Sequence, residues 1–162
     1  MNETAKIAST QNSVIHSTFS IERIYPHAPA RVFFAHANEA MKRRWFAEGD
    51  GWKIDEYKLD FRLDGSEVSR FRYQDGPEIR YDAAFYDIIP DRRVVFAYRM
   101  AMGSKPLSVS LSTIELRPCA SGTLLAYTEQ GAYLDDPSGP EGREEGTRGL
   151  LEKLASELQS AG

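Results

Sequence analysis

The segment REEGTRGLLEKLASELQS, residues 143–160, sets Leu150, Leu151, Leu154 and Leu158 on one face of a helix and Glu152, Lys153 and Glu157 on the other. An apolar stripe of that length must be buried against a second surface, and the chain shows no other long helix to receive it. What precedes it is a succession of strands with one apolar face. The alternation runs through Tyr57, Leu59, Phe61 and Leu63, then Ile79, Tyr81, Ala83 and Phe85, then Val94, Phe96, Tyr98 and Met100, then Leu107, Val109 and Leu111. The opposite faces carry Asp60, Arg62, Arg80, Asp82 and Arg93, together with Ser108, Ser110 and Ser112, and are assigned to solvent. One-sided strands belong to antiparallel sheets. A helix of about 20 residues is roughly 30 Å long and strands of about 10 residues run roughly 33 Å, so the helix can lie along the whole sheet. One sheet face and one stripe pair in a single way, as a two-layer α+β domain. A strongly curved sheet gripping the helix leaves a wedge between the layers.

The remaining elements follow from local signals. Residues 1–16 are polar without periodicity and are expected to form a loose arm, with residues 17–162 as the domain. Thr18 to Tyr25 alternates as a half-buried strand, Pro29 opens a helix, and Asn38 caps a second short helix that reaches about Phe46. Turn signals at Asp64-Gly65, Asp75-Gly76-Pro77, Pro90-Asp91, Gly103-Ser104 and Ala120-Ser121-Gly122 then cut six strands. The sheet is expected to hold six or seven strands.

Composition removes several functional classes. With 20 basic and 24 acidic residues interleaved, for a formal charge of -4, no face for nucleic acid is present. No apolar run has the roughly 18 to 20 residues that span a bilayer, and the first residues lack the apolar centre of a secretory signal, so membrane partners are not expected and a cytoplasmic location is. The single Cys119 cannot close an internal disulfide. His16, His27 and His36 pair with no Cys or carboxylate at ligand spacing, so no metal and no cofactor is assigned. No nucleophile or nucleotide motif assigns a catalytic residue either.

Strand, two short helices, six strands and a long final helix is the helix-grip order. Five stretches carry a more specific likeness: IERIYPHAPARVFFAHAN, the tryptophan of RRWF, DFRLDGSEVSRF, YDAAFYDIIPDRRVVFAY, and SGTLLAYTEQGAY. In that order and spacing, over about Thr18 to Ser160, the chain resembles the homologues of the activator of heat-shock protein 90 ATPase. That family lies within the START-like or SRPBCC superfamily, which also holds the birch-pollen-allergen-like proteins. The resemblance implies a curved sheet around a cavity; some relatives bind or transform lipids, polyketides or other hydrophobic small molecules, and no particular reaction is implied. Members that stimulate the chaperone ATPase do so as longer proteins with an additional domain.

The candidate site is the wedge. Tyr81 and Tyr98, and Tyr127 and Glu129 if the last strand faces inward through Leu125, offer a few polar points inside an apolar space. Phe61, Phe85 and Phe96 are expected to bound the void, with Trp45 and Phe46 at its mouth facing Leu150 and Leu154. Two readings of that pair stay open, a cap over a ligand or packing on the leucines. Glu129 likewise has two, a general acid with a raised pKa or a salt bridge, for which Arg23 is the candidate partner. The functional expectation is a module that binds a hydrophobic small molecule. The alternatives are an enzyme using Glu129 with Tyr98 or Tyr127 in acid/base chemistry on a cyclic or polyketide-like substrate, and a chaperone-modulating interaction module. Open sheet edges also allow a homodimer.

Overall fold

The computed structural model describes residues 12–160. Seven strands form one antiparallel sheet: β1 (Val14–Tyr25), β2 (Trp52–Leu59), β3 (Ser66–Tyr73), β4 (Ile79–Ile89), β5 (Arg93–Met102), β6 (Lys105–Cys119) and β7 (Gly122–Leu134). Their spatial order is β1-β7-β6-β5-β4-β3-β2, so β2 to β7 form a meander and β1 closes onto β7. Between β1 and β2 lie α1 (Pro29–Ala37), α2 (Glu39–Lys42) and a π-helical turn, Arg43–Ala47; α3 (Gly139–Ser160) ends the described chain. Pro29 sits in the first turn of α1, where a missing N–H costs nothing. The Asn38 side chain accepts from Met41 N and caps α2. This is the α+β helix-grip architecture, with two short helices after the first strand.

The helix lies in the hand of the sheet. Leu151, Leu154 and Leu158 are buried and join Phe19, Ile21, Tyr25, Phe85, Val94 and Leu125 in one core. Polar contacts pin α3 along its length: Tyr25 Oη donates to Leu151 O at 2.9 Å, and Arg31 Nη2 donates to Leu158 O at 2.7 Å, where the last carbonyls lack intrahelical partners. On the outer side Arg23 pairs with Glu152.

Three strand expectations need correction. Residues 1–11 of the expected arm lie outside the described residues, but Val14 to His16 already belong to β1, paired with Leu134 to Ala132. Ser13 N bonds Asp135 Oδ1 at 2.8 Å and Asp135 N bonds Ser13 O at 3.0 Å, beside the first pair of that ladder. Backbone pairing along β7 needs no apolar alternation, which is why the polar sequence did not announce it. The second correction concerns Phe61 and Leu63. β2 stops at Leu59, and residues 60 to 65 turn back so tightly that a Cβ on Gly65 would lie 2.2 Å from Asp60 O. Leu63 is therefore on the loop surface, 57% exposed.

The third correction inverts β6. Ser108, Ser110 and Ser112 are buried, whereas Val109 and Leu111 are 53% and 41% exposed. A side-chain period of two makes parity decisive, and Ile114 and Leu116, buried further along the same strand, share the parity of the serines. Leu107 is the extra residue of a bulge opposite Met100 and Ala101, which brings it to the inner side despite its odd number.

Because the Leu154 side chain is fully enclosed, Leu154→Ala is expected to lower the unfolding free energy by about 2 to 5 kcal/mol. Glu152→Ala, on the outer face, is expected to change it by less than about 1 kcal/mol. Equal shifts of the two in chemical denaturation would show that α3 is misfaced.

Candidate functional site

Strand register stacks the inward side chains in rows. One row reads Tyr133, Ser108, Met100, Tyr81, Ser69, Tyr57 from β7 to β2; the next reads Gly131, Ser110, Tyr98, Ala83, Glu67; a third reads Glu129, Ser112, Phe96, Phe85. Over these rows, beneath the N-terminal half of α3, lies a cavity of about 700 Å³, within the range of small-molecule sites. Its mouth runs between α3 and the chain from Ala47 to Trp52. The α3 side of that mouth carries Gly142, Gly146 and Gly149, and a Cβ built at any of the three meets nothing within 4 Å.

Of the residues singled out from the sequence, Trp45, Phe46, Tyr81, Phe96, Tyr98, Tyr127 and Leu150 border this cavity. Phe85 and Leu154 are buried in the core, Phe61 packs on Phe85 and Phe33, and none of the three borders the cavity. Trp45 is a wall residue: its ring is buried, its Nε1–H donates to Ala35 O at 2.9 Å, and its edge meets His36 at 5.1 Å. The exposed ring at the mouth is Trp52, which meets Phe71 edge-on and Tyr73 at a tilt.

Glu129 lies behind the wall, without solvent exposure. Its Oε1 accepts from Tyr127 Oη at 2.7 Å, Tyr98 Oη at 2.8 Å and Ser112 Oγ at 3.1 Å. Its cation is Arg143 of α3, whose Nη1 is 3.4 Å from Oε2; the Arg23 pairing does not form. Arg143 reaches down between the rings of Tyr98 and Tyr133, each 5.3 Å from its guanidinium carbon. It donates to Tyr98 Oη and Ser108 Oγ at 2.7 Å each. The hydroxyls of the inverted strand β6 thus serve as the floor for this guanidinium. Burial disfavours the Arg143 cation, but Tyr98, Glu129 and Tyr133 outweigh it and raise its pKa. Burial, reinforced by the Glu129 charge, also holds the Tyr98 hydroxyl protonated far above the usual phenol range.

A second buried pair lies across the cavity. Glu67 on β3 accepts from Lys42 Nζ at 2.8 Å and from Tyr57 Oη at 2.6 Å, and the ammonium sits 4.8 Å from the Phe46 ring centre. Next to it His36 donates through Nδ1 to Val32 O at 2.9 Å; a carbonyl can only accept, so Nδ1 carries the proton. Burial first, and the Lys42 charge second, push the His36 pKa down to about 4. Sequence reasoning missed Arg143, Lys42, Glu67 and His36 as site residues. The available signal for Arg143 was periodicity: stepping back from Leu151 by four gives Thr147, and by eight gives Arg143, on the buried face. Among the described residues no cluster of metal-ligating side chains occurs, and no helix is long and apolar enough to cross a membrane.

The model of the family described as activator of Hsp90 ATPase homolog 1-like protein matches residues 26–159. Among solved structures, a protein from Rhizobium loti is 60% identical, with 90% of this chain and 99% of that one covered and a TM-score of 0.84. An uncharacterised protein from Rhizobium leguminosarum is 36% identical over 91% and 97% of the two chains, with a TM-score of 0.87. An AHSA1-like protein from Aeromonas hydrophila, at 16% identity over 90% and 94% and a TM-score of 0.66, shares the fold. No functionally curated protein matches.

Two outcomes test the electrostatics. With a folded-state His36 pKa of about 4 against 6.5 unfolded, protons bind the unfolded chain first, so stability is full above pH 6.5 and falls as pH drops towards 4. The loss should be about 3 kcal/mol, and it should be missing from His36→Asn, whose amide can still donate to Val32 O. Urea titrations at pH 7 and pH 4 measure the difference. Arg143→Met, which strips a buried carboxylate of its cation, should cost about 3 to 5 kcal/mol, against less than about 1 kcal/mol for Arg148→Met on the exposed face.

Proposed function

The chain belongs to the family of activator of Hsp90 ATPase homolog 1-like proteins, and on that premise we propose that it is a binding module that takes up a hydrophobic small molecule between the sheet and α3. The observation that carries this reading is the bare edge of the helix. Gly142, Gly146 and Gly149 recur at helical spacing along the cavity mouth. Glycine inside a helix costs about 1 kcal/mol relative to alanine, so three such positions give up roughly 3 kcal/mol of helix stability. A chain selected only for a stable sheet and helix has no use for them. A chain that must admit a guest beneath the helix does, because any side chain there would project into the opening. The walls suit an apolar guest: Trp45, Phe46, Phe71, Phe96, Met100 and Leu150 line them.

The acid/base alternative finds less support. Glu129 Oε1 is filled by three donors and its second oxygen faces Arg143, so no lone pair is offered to a guest. The tyrosines that would share its protons are held protonated by burial.

Nile red, an uncharged apolar dye, should bind the purified protein with a blue-shifted emission and should quench tryptophan fluorescence, since Trp45 and Trp52 both border the cavity. Gly146→Phe should weaken that uptake by at least about tenfold while leaving the melting temperature equal or higher, because the substitution removes a helix-interior glycine. Unaltered dye binding in Gly146→Phe, or no dye binding to the unsubstituted protein, would refute the binding-module reading.

A further inference from the structure

The polar groups on the cavity wall divide unevenly between used and unused. Both carboxylates are saturated: Glu67 by Lys42 and Tyr57, Glu129 by Tyr98, Tyr127, Ser112 and Arg143. Each carries its own cation, so the interior wall is balanced in charge, and two further ionisable groups on the lining, Asp136 and Lys153, are of opposite sign, the Lys153 ammonium being held by Glu48 O. A carboxylate or phosphate guest would therefore meet no net positive charge. His36, neutral and buried, adds none.

The unused groups are mainly donors. Tyr81 is buried to all but 5% of its surface and borders the cavity, yet its hydroxyl has no hydrogen-bond partner among the described residues. Its ring is wedged between Phe46, at 5.2 Å, and Tyr98, at 4.8 Å, so the hydroxyl has a fixed position. Ser69 lies directly opposite Tyr81 in the register of β3 and β4, also borders the cavity, and likewise has no partner for its hydroxyl among the described residues. Directly paired residues on one face bring their Cβ atoms to about 5 Å, so the Ser69 hydroxyl lies towards the foot of the Tyr81 ring on the same stretch of wall. Burial, with the charge of Glu67, holds the Tyr81 proton in place far above the ordinary phenol range, so this group donates. Neither hydroxyl is sealed off as that of Tyr133 is, so both remain open to whatever enters the cavity and have hydrogen-bonding capacity to offer it.

We infer that the guest is an uncharged, largely apolar molecule bearing a carbonyl-type oxygen, and that this oxygen docks on the Tyr81 hydroxyl with Ser69 beside it. The inference rests on the binding-module reading and narrows it to one chemical class and one docking point. It distinguishes three naphthalenes of nearly equal shape: 2-acetylnaphthalene has the oxygen and no charge, 2-ethylnaphthalene has neither, and 2-naphthoate has oxygens with a charge.

Competition of these probes against Nile red tests it. The unsubstituted protein should bind 2-acetylnaphthalene about tenfold more tightly than 2-ethylnaphthalene, the order expected for one buried hydrogen bond, and more tightly than 2-naphthoate. Tyr81→Phe removes only a hydroxyl that no protein group uses, so the fold should be kept. It should bring the affinity for 2-acetylnaphthalene down to that for 2-ethylnaphthalene, whose own affinity should not move. Ser69→Ala should give a smaller loss of the same kind. If 2-naphthoate binds most tightly, the charge balance does not govern selection and the inference falls. If 2-acetylnaphthalene and 2-ethylnaphthalene bind alike, or Tyr81→Phe weakens both equally, the docking point falls while the binding module stands. If neither Nile red nor any naphthalene binds, both fall together.

Discussion

The strut formed by Arg143 determines where the cavity can be. Over its second half α3 touches the sheet through Leu151, Leu154 and Leu158, which are buried in the apolar core. Over its first half, beyond the close approach of Gly139 to the Tyr133 ring, contact with the sheet passes through one long guanidinium that ends on Tyr98, Ser108 and Glu129. A leucine at that position would draw the helix towards the strands, because apolar contact is attractive only at short range. Arginine instead keeps a separation of its own length and is rewarded at the far end by charge-assisted hydrogen bonds. The helix is thus clamped at one end and propped at the other.

That arrangement explains an otherwise odd distribution of polar residues. Two carboxylates point into the interior of a small domain, and replacing such pairs by apolar side chains commonly leaves stability unchanged or higher. Their worth here is positional. Glu129 gathers Tyr98, Tyr127 and Ser112 from three strands onto one oxygen, and Glu67 holds Lys42 of the short helix α2 against Tyr57 of β2. Each network ties an element bordering the cavity to the sheet without filling the space between them. The rings of Phe46, Tyr81 and Tyr98 stand on these anchors, so the cavity has fixed walls although it interrupts the core.

Much of the fold was legible because it depends on periods. The leucine stripe of α3, the alternation of β4 and β5, the proline and asparagine that start the short helices and the glycine turns each state a local preference that the tertiary structure keeps. Reading failed where a period was right but its phase was chosen by residue type. On β6, leucine and valine were sent inward and serine outward; the chain does the reverse, since Arg143 needs hydroxyls beneath it and Ile114 and Leu116 set the parity. On β2, the alternation of the sequence runs on past Leu59 to Leu63, while the strand ends at Leu59 and the backbone turns back by Gly65.

The sequence by itself determined the layers, the order of the strands along the chain and the burial of Tyr81, Phe96 and Tyr98, because hydrophobic burial at a fixed period is a property of each segment alone; which face of β7 turns inward, and so the burial of Tyr127 and Glu129, was settled by its pairing with β1 and β6. Only the tertiary structure decided which charges meet. Glu129 is joined to Arg143, 14 residues away in sequence, and Glu67 to Lys42, 25 residues away, while Arg23 goes to Glu152 on the outside. Pairing of that kind follows from distances between elements after they pack, and a sequence carries no distance until the helix has been laid on the sheet.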